Sequence, residues 1–295
     1  MNVLITGGTG FIGSALCNHL HQEGHRLIVK TRHPELVDSR MTAVSDLSEL
    51  PAKDSIDAVI NLAGESIAGK RWSAAQKQKI VASRIKTTEE LIRFLEGLET
   101  KPSVLISASA IGVYGVGVTD DSIDESCTGD ASFSSRLCAQ WEACAMRAEG
   151  LGIRTCILRI GIVIGPDGGA LAKMIPPFKL GLGGRIGSGK QWMSWIHLRD
   201  LISIIDLCIA DMCLQGPINC TAPNPVTNRE FTHVLGQCLK RPSRLPMPSF
   251  LVTLLLGEMG SELLLAGKQV RPAKLESLDF SFQFERLEAA LLNVM

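Results

Sequence analysis

The stretch Val3-Leu4-Ile5-Thr6-Gly7-Gly8-Thr9-Gly10-Phe11-Ile12-Gly13 decides the fold class of this chain. It places a short apolar strand pattern, a glycine turn and the start of a helical pattern in direct succession. The spaced glycines meet separate demands of a bound dinucleotide, since Gly7 permits a tight turn, Gly10 lets the backbone approach the diphosphate, and Gly13 lets the helix pack closely on the strand. Free N–H groups at the helix N-terminus attract phosphate. The stretch therefore predicts a dinucleotide-binding unit.

A glycine pattern alone is weak evidence for a ligand, but the alternation of elements continues through the first half of the chain. The predicted strands cover residues 3–6, 26–31, 58–63, 104–107 and 153–161, and the predicted helices cover 11–23, 73–98 and 133–150. Strands that alternate with helices in this way form parallel sheets with crossover helices. We therefore predict an α/β fold with a Rossmann-type, doubly wound parallel sheet.

The character of the chain changes after residue 165, where prolines and glycines become frequent and the predicted helices become short. This change predicts two parts. Residues 1–165 would form an NADP-binding Rossmann domain, and residues 166–295 would form a smaller, substrate-side carboxy-terminal lobe. We expect a brief return of the chain to the main sheet near residues 216–219.

The end of the second strand indicates which nicotinamide cofactor binds. An NAD site usually carries an acidic residue there, which accepts a hydrogen bond from the ribose 2′-hydroxyl. This chain instead has Thr31 and Arg32, and an arginine can bind a 2′-phosphate through two N–H groups. The prediction is NADP(H), with Asp46 as a partner for the adenine amino group. The alternative is that Arg32 and Asp46 are solvated surface residues.

Composition narrows the classes of partner. The chain has 295 residues, of which 45% are hydrophobic and 20% charged, and its formal net charge is +0. No long-range positive field attracts a polyanion, so no nucleic-acid partner is expected. The nine cysteines are odd in number and contain no C-x-x-C pair, which is typical of reduced thiols and predicts no metal site.

Residues 250–256 form the most apolar stretch of the second half, but they are too few to span a bilayer. They predict an amphipathic helix, and no membrane partner is expected. No targeting segment is visible before the first strand, so the expected location is the cytoplasm.

Several motifs together resemble those of a known family. Three motifs are similar to those of the extended short-chain dehydrogenase/reductase group, the relatives of the nucleotide-sugar epimerases. They are the glycine spacing of the opening stretch, Asn61-Leu62-Ala63-Gly64 and Ser107-Ala108-Ser109-Ala110-Ile111-Gly112-Val113-Tyr114-Gly115. Other stretches of this chain resemble one atypical branch of that group, the sugar nucleotide epimerase-like proteins. These stretches are Trp72, Ser83-Arg84-Ile85, Trp141-Glu142, Arg159-Ile160-Gly161, Gly168-Gly169-Ala170-Leu171, Trp195-Ile196-His197 and Phe280-Ser281-Phe282. The resemblance runs nearly end to end and implies a Rossmann domain with a carboxy-terminal substrate lobe.

The resemblance extends the predicted cofactor site beyond the glycine turn. The predicted cofactor-binding residues are Gly7, Gly10, Phe11, Ile12, Gly13, Thr31, Arg32, Asp46, Asn61, Leu62, Ala63, Gly64, Glu65, Ser83, Arg84, Arg159 and Ile160. Among them, Ser83 and Arg84 are predicted to contact the phosphates from the long helix. The alternative for Arg84 is an exposed helical arginine.

The chain departs from the family at the catalytic pair. Working members of the wider family use Tyr-x-x-x-Lys, in which the lysine lowers the tyrosine pKa. The single tyrosine of this chain is Tyr114, and Val118 stands four residues later. Counting back from Glu142 places the positions of the pair on Ser134 and Cys138. Neither residue reproduces the chemistry, so the standard reductase mechanism is not supported.

Three residues are candidates for an atypical catalytic role. Tyr114 lies beyond the fifth strand, where it is either an acid or a ring that packs at the edge of the cleft. Ser109 stands beside Ala110, the residue at the usual serine position. His197 titrates near neutrality and is either a proton shuttle or a structural hydrogen-bonding residue, bonded to Asp200 or to the backbone.

Two basic, glycine-rich loops suggest an anionic or sugar-derived small-molecule substrate. They cover residues 69–72 and 183–190, and they carry Arg71, Arg185 and Lys190 beside tryptophans 72 and 192. The alternative is a pair of solvated loops. Two functions remain open: an NADP(H)-dependent oxidoreductase or epimerase-like enzyme, and a non-catalytic NADP(H)-binding protein that senses redox state or regulates a partner.

Overall fold

A computed structural model describes residues 1–50, 55–166 and 168–295. The strands in chain order are β1 (Asn2–Thr6), β2 (Arg26–Lys30), β3 (Thr42–Val44), β4 (Ala58–Asn61), β5 (Val104–Ala110), β6 (Ser122–Ile123), β7 (Arg154–Ile160), β8 (Ile162–Ile164), β9 (Trp192–Met193), β10 (Trp195–His197), β11 (Gly216–Cys220), β12 (Val226–Thr227) and β13 (Gln269–Val270). The α-helices in chain order are α1 (Phe11–Gln22), α2 (Ala74–Gly97), α3 (Phe133–Met146), α4 (Gly169–Lys179), α5 (Leu198–Ala210), α6 (Asn228–Cys238), α7 (Ser249–Leu256), α8 (Glu258–Leu263), α9 (Ala273–Ser277) and α10 (Leu287–Val294).

Seven of these strands form one parallel sheet in the order β11-β7-β5-β4-β1-β2-β3. The order of connection reverses between β1 and β4, because the chain first runs outward through β2 and β3 and then crosses back to β4. Ligands of open α/β sheets bind beyond the carboxyl ends of the strands at such a reversal. The predicted Rossmann-type fold with a smaller carboxy-terminal region is confirmed.

Alternate side chains of the strands bury into two helical layers. Val3 and Ile5 of β1 face a core shared with α1 and α5, whereas Leu4 faces a core shared with α2 and α3. Because successive side chains of a strand point to opposite faces, a fully buried parallel strand is apolar at nearly every position. This burial explains why the strand runs are continuous in the sequence.

Several element boundaries differ from the predictions. The sequence assigned no strand at Thr42–Val44, a three-residue edge strand that is too short for a pattern. β5 extends three residues beyond the predicted end, to Ala110. The predicted helix 133–150 ends as an α-helix at Met146 and continues as a 3₁₀ turn that closes on Gly152, whose φ is +77°.

The carboxy-terminal part contributes to both regions of the molecule. β11 pairs with β7 in the main sheet, and α5 packs its buried side chains into the same core as α1. The remainder has its own core, which contains Phe178 of α4, Trp195 of β10 and Phe231 of α6. The division at residues 165 and 166 remains a prediction, and the return to the sheet comprises a helix as well as a strand.

The predicted apolar helix near residues 250–256 corresponds to α7, which buries Val252 and exposes Phe250 and Leu254. In the described part of the chain, no helix is both long and apolar enough to cross a bilayer. All nine cysteines are free thiols, and no group of histidine, cysteine or acidic residues within the described ranges is arranged to hold a metal ion.

Candidate functional site

The glycine turn between β1 and α1 leaves no room for side chains. Gly7 has a φ of +74°, and a Cβ added there would lie 2.7 Å from the backbone of Leu62, on the loop after β4. A Cβ on Gly13 would lie 2.2 Å from the carbonyl oxygen of Gly7. Gly10 is the N-cap of α1, and no described side chain caps this end of the helix. The amides of Phe11 and Ile12 therefore remain available for phosphate.

Phe11 also connects this turn to the carboxy-terminal part of the chain. Its ring packs so closely on the backbone of Gly168, just before α4, that a Cβ there would lie 2.1 Å from the ring. The contact fixes the start of α4 next to the glycine turn. It explains why the N-cap and the first residue of this helix are both glycines, Gly168 and Gly169.

The residues predicted to select the cofactor lie at the neighbouring strand end. Thr31 follows β2, and its hydroxyl oxygen lies 3.5 Å from that of Thr9 in the glycine turn. Arg32 is exposed immediately beyond it. Asp46 follows β3 and accepts a hydrogen bond from the amide of Ser48, 2.8 Å away, which holds the pKa of this carboxyl below its usual range. Arg32 therefore lies at the end of β2 that adjoins the glycine turn.

Asn61 ends β4, but its side chain is directed into the sheet. It accepts a hydrogen bond from Thr6 at 2.6 Å, and it donates to Thr88 at 2.9 Å and to Ser107 at 3.2 Å. These buried bonds join three strands of the sheet to α2. The predicted contact of Asn61 with the cofactor can therefore come only from its backbone, while its side chain fixes the turn that follows.

The loop Leu62-Ala63-Gly64-Glu65 is held against α2. The amide of Glu65 donates to the hydroxyl of Ser83 at 2.9 Å, and Arg84 donates to the carbonyl of Glu65 at 3.1 Å. The Arg84 guanidinium lies 5.2 Å from the ring centroid of Trp141, and its burial lowers its pKa. The structure thus brings these predicted residues together, and Arg84 is a partly buried cation rather than a solvated one.

A buried hydrogen-bonded network underlies the carboxyl ends of β5, β7 and β11. Arg159 donates from Nε and Nη2 to the two oxygens of Glu142 at 3.0 and 2.9 Å, and Ser109 donates to the same carboxylate at 2.7 Å. Nη1 of Arg159 donates to the Tyr114 hydroxyl at 2.9 Å, and that hydroxyl donates to Asn219 at 2.6 Å. The catalytic candidates Ser109 and Tyr114 and the predicted cofactor-binding residue Arg159 are therefore members of one buried network.

The contacts of Tyr114 favour the packing alternative over the acid. The residue is 1% exposed, and its hydroxyl both accepts and donates within the network. Burial raises the pKa of Tyr114 to about 12, although Arg159 opposes the shift. A phenol that holds its proton this strongly is a poor acid near neutrality. Ser109 is likewise buried, and Ile160, beside Arg159, is buried in β7.

His197 is the third catalytic candidate, and it is buried at 1% exposure. Its Nδ1 accepts a hydrogen bond from the amide of Arg199 at 3.1 Å, which caps α5, and its ring lies 3.9 Å from that of Phe284. Burial lowers the pKa of His197 to about 4. These contacts favour the structural alternative, with the backbone rather than Asp200 as the partner. Asp200 instead accepts from the amides of residues 283 and 284.

The positions of the missing catalytic pair lie on α3, beside the end of β5. A Cβ added to Gly112 would lie 3.4 Å from Cβ of Ser134 and 3.8 Å from Sγ of Cys138. Burial raises the pKa of the Cys138 thiol to about 11. Ser134 donates its hydroxyl proton to Glu262 at 2.6 Å. Glu262 lies on α8, far along the chain, and no motif in the sequence drew attention to it.

The basic loops do not form the predicted stacking and charge-pairing surface. Trp72 is buried against Phe133, and its indole N–H donates to a backbone carbonyl. Arg185 donates to the carbonyl of Ser188 in its own loop at 2.7 Å, which stabilises the turn. Trp192 donates to Asp120 at 3.3 Å. Arg71 and Lys190 remain exposed and available to a ligand.

The comparison with protein families defines the class of this protein. The family described as NAD dependent epimerase/dehydratase family matches residues 3–218, and a domain of unknown function, DUF1731, matches residues 247–294. The first match covers more than half of the chain, so this protein belongs to the NAD dependent epimerase/dehydratase family. The predicted membership of an epimerase-like branch is confirmed.

Similar proteins cover the whole chain. It is 40% identical over 300 residues to Epimerase family protein YfhF of Bacillus subtilis, which covers 100% of this chain and 98% of that protein. It is 38% identical over 305 residues to Epimerase family protein SDR39U1 homolog, chloroplastic, of Arabidopsis thaliana, covering 100% of this chain and 87% of that protein. A crystal structure of human epimerase family protein SDR39U1 (isoform2) with NADPH has a TM-score of 0.91 and 35% identity, covering 100% and 99% of the two chains.

Proposed function

We propose that this protein binds NADP(H) and transfers hydride between that cofactor and a small alcohol or carbonyl substrate, anionic or sugar-derived, as an oxidoreductase or epimerase-like enzyme. The observation that carries the proposal is the N-terminus of α1. No side chain of the described residues caps it, and it follows glycines that leave no space for a Cβ. This is a cradle for a diphosphate at the reversal of strand order.

The preference for a 2′-phosphate is supported by charge at the end of β2. Arg32 is exposed beyond this strand, where an NAD site would carry an acidic residue. The human relative was crystallised with NADPH, and its fold matches that of this chain over nearly its full length. In the proposed site, Asp46 binds the adenine amino group, and Ser83 and Arg84 hold the phosphate side of the loop after β4.

The carboxy-terminal region supplies the substrate side of the proposed site. Its α8 packs Met259 and Leu263 against Phe133 of α3, directly beside the end of β5. Arg71 is exposed and lies beside the start of α8, with its Nε 3.2 Å from the position of a Cβ on Gly257. A substrate beside α8 would therefore meet a cation, which suits an anionic group. NADP(H), when bound, supplies or accepts the hydride, and the residues of the chain must position the substrate and move the proton.

A second candidate function is a non-catalytic NADP(H)-binding protein. The buried state of Tyr114 and the occupation of the pair positions by Ser134 and Cys138 favour it, because none of these side chains is a ready acid or base near neutrality. The glycine turn before α1 is compatible with both candidate functions.

Binding and turnover measurements separate the outcomes. Calorimetric titration of the protein with NADPH, NADP⁺ and NADH should show binding that is tighter for the phosphorylated cofactors. A screen for absorbance change at the nicotinamide with sugars, nucleotide sugars and simple carbonyls should then reveal turnover. Binding without turnover across that panel would support the second candidate. A folded protein that binds none of the three nucleotides would refute the proposed function.

A further inference from the structure

Glu262 of α8 is bound to the first turn of α3. Its Oε1 accepts from the amide of Phe133 at 3.1 Å, and its Oε2 accepts from the amide and the hydroxyl of Ser134 at 3.0 and 2.6 Å. Three donors thus converge on one carboxylate from a residue 128 positions later in the chain. The N-terminus of α3 adds its partial positive charge beside this carboxylate.

Ser134 marks the position at which the wider family carries its catalytic tyrosine. Its Cβ lies 3.4 Å from the Cβ position of Gly112, in the turn that follows β5, so it stands at the carboxyl ends of the strands. In a Rossmann-type sheet this edge faces the reacting part of the cofactor and substrate. A carboxylate therefore lies where the chain has lost its acid/base residue.

The placement of Glu262 depends on the packing of α8. Met259 and Leu263 pack with Phe133, Leu137 and Trp72 in one hydrophobic cluster. Glu258, one turn before Glu262, pairs with Lys77 of α2. The two glutamates have the same charge and neighbouring positions on one helix, but only Glu262 is directed at the tyrosine position. Glu258 is therefore a matched control.

The hydroxyl of Ser134 is oriented for proton transfer toward Glu262. Because Ser134 donates its proton to Oε2, its oxygen lone pairs remain able to accept a proton from another hydroxyl. A serine by itself is too weak a base for this step, but a serine bonded to a carboxylate can pass the proton on. The sequence positions of the pair alone did not reveal this arrangement.

We propose that Glu262, through Ser134, accepts the proton when an alcohol substrate is oxidised at this site, a role that rests on the proposed function. The substrate hydroxyl gives its proton to Oγ of Ser134 as Oγ gives its own proton to Oε2 of Glu262. The C–H bond of the same carbon breaks, and its electron pair leaves as hydride to NADP⁺. The products are a carbonyl compound, NADPH and a protonated Glu262, which returns its proton to water.

A carboxylate in this role must lie close to the nicotinamide, and this closeness has a consequence for binding alone. The nicotinamide ring of NADP⁺ is positively charged, whereas that of NADPH is neutral. Glu262 should therefore strengthen the binding of NADP⁺ more than that of NADPH by Coulomb attraction. The ratio of the two dissociation constants measures this attraction without any substrate.

The experiment compares Glu262→Gln with Glu258→Gln in the full chain. Calorimetry at low ionic strength gives the Kd of NADP⁺ and of NADPH for the wild type and both variants. We expect Glu262→Gln to weaken NADP⁺ binding by about three- to tenfold and to change NADPH binding by less than about twofold. Glu258→Gln should leave both constants unchanged, because its charge faces α2.

An unchanged ratio in a folded Glu262→Gln protein would overturn the role of Glu262 while leaving the proposed function intact. Glu262→Asp is the second variant if the glutamine protein is unstable. Glu262→Asp keeps the charge, so the ratio of the two Kd values should stay at the wild-type value. A change in this ratio of about three- to tenfold, as expected for loss of the charge, would also overturn the role. Failure of the wild type to bind either cofactor would instead refute the proposed function, and this inference with it.

Discussion

Arg159 and Glu142 form a two-point ion pair beneath the carboxyl ends of the parallel strands, with N–O distances of 3.0 and 2.9 Å. Both side chains are largely buried, at 10% and 13% exposure. Arg159 lies on β7 directly opposite Ser109 of β5, and Glu142 reaches the pair from α3. The pair therefore joins β7 of the sheet to α3, the helix that carries Ser134, and so holds Ser134 at the proposed site.

Removal of one partner of this pair should destabilise the fold strongly. Arg159→Met leaves the Glu142 carboxylate buried without its cation, and we expect a loss of about 3–5 kcal/mol in the free energy of unfolding. Urea denaturation monitored by circular dichroism measures it. The double variant Glu142→Gln/Arg159→Met should lose less than the sum of the single losses, because no uncompensated charge remains. Arg271→Ala, which breaks an exposed pair with Glu276, should cost less than about 1 kcal/mol.

Tyr114→Phe tests whether the single tyrosine is structural. Its hydroxyl bonds to Arg159 and Asn219, so its loss should cost about 1–2 kcal/mol of stability by leaving buried polar atoms unpaired. NADPH affinity should change by less than about twofold, because the phenol contributes only to this buried network. Thermal melting and calorimetric titration check the two parts. A variant with unchanged stability but abolished turnover would instead assign Tyr114 to catalysis.

The sequence predicted the sheet because buried parallel strands and their crossover helices leave regular patterns in the chain. β3 escaped prediction because an edge strand of three residues has no period to detect. The glycine turn was predictable because each glycine answers a local steric demand. Gly7 and Gly13 are close to backbone atoms that lie within the same turn or on the loop after the neighbouring strand β4.

The side-chain network could not be predicted because it joins distant positions. Ser109, Glu142 and Arg159 meet only after β5, α3 and β7 have packed together. Asn61 and Arg159 stand in motifs that resemble a cofactor site, but their side chains form hydrogen bonds to other polar groups inside the fold. Glu262 was missed for the same reason, since its partners on α3 lie 129 and 128 positions earlier in the chain.

Arg32→Ala should weaken the binding of NADPH much more than that of NADH. The exposed guanidinium beyond β2 is proposed to bind the 2′-phosphate, so we expect NADPH binding to weaken by about 10- to 100-fold and NADH binding by less than about twofold. Calorimetry with both cofactors measures the change. Arg26→Ala, at the exposed opposite end of the same strand, is the control and should affect neither. Equal weakening of both cofactors would contradict the role.

Gly13→Ala should abolish nucleotide binding. The added Cβ would lie 2.2 Å from the carbonyl oxygen of Gly7, so the turn that exposes the α1 amides must shift. We expect NADPH affinity to fall more than about 100-fold. Gly97→Ala, at the end of α2 with no atom of the described residues within 4 Å of its Cβ position, should keep affinity and gain up to about 1 kcal/mol of stability. Unchanged binding in Gly13→Ala would mean that the phosphates lie elsewhere.

His197 should make the fold sensitive to mild acid. Burial lowers the pKa of its imidazole to about 4 from an ordinary value of 6.5, so the unfolded chain binds a proton at a pH at which the folded chain does not. The contribution of the neutral residue is present in full above pH 6.5 and is lost as the pH falls toward 4, by up to about 3 kcal/mol. Urea denaturation between these limits should therefore show a steeper loss of stability for the wild type than for His197→Gln. The exposed His233→Gln should keep the wild-type slope, and an equally steep slope in His197→Gln would assign the acid sensitivity to other groups, because a glutamine at position 197 has no proton to take up.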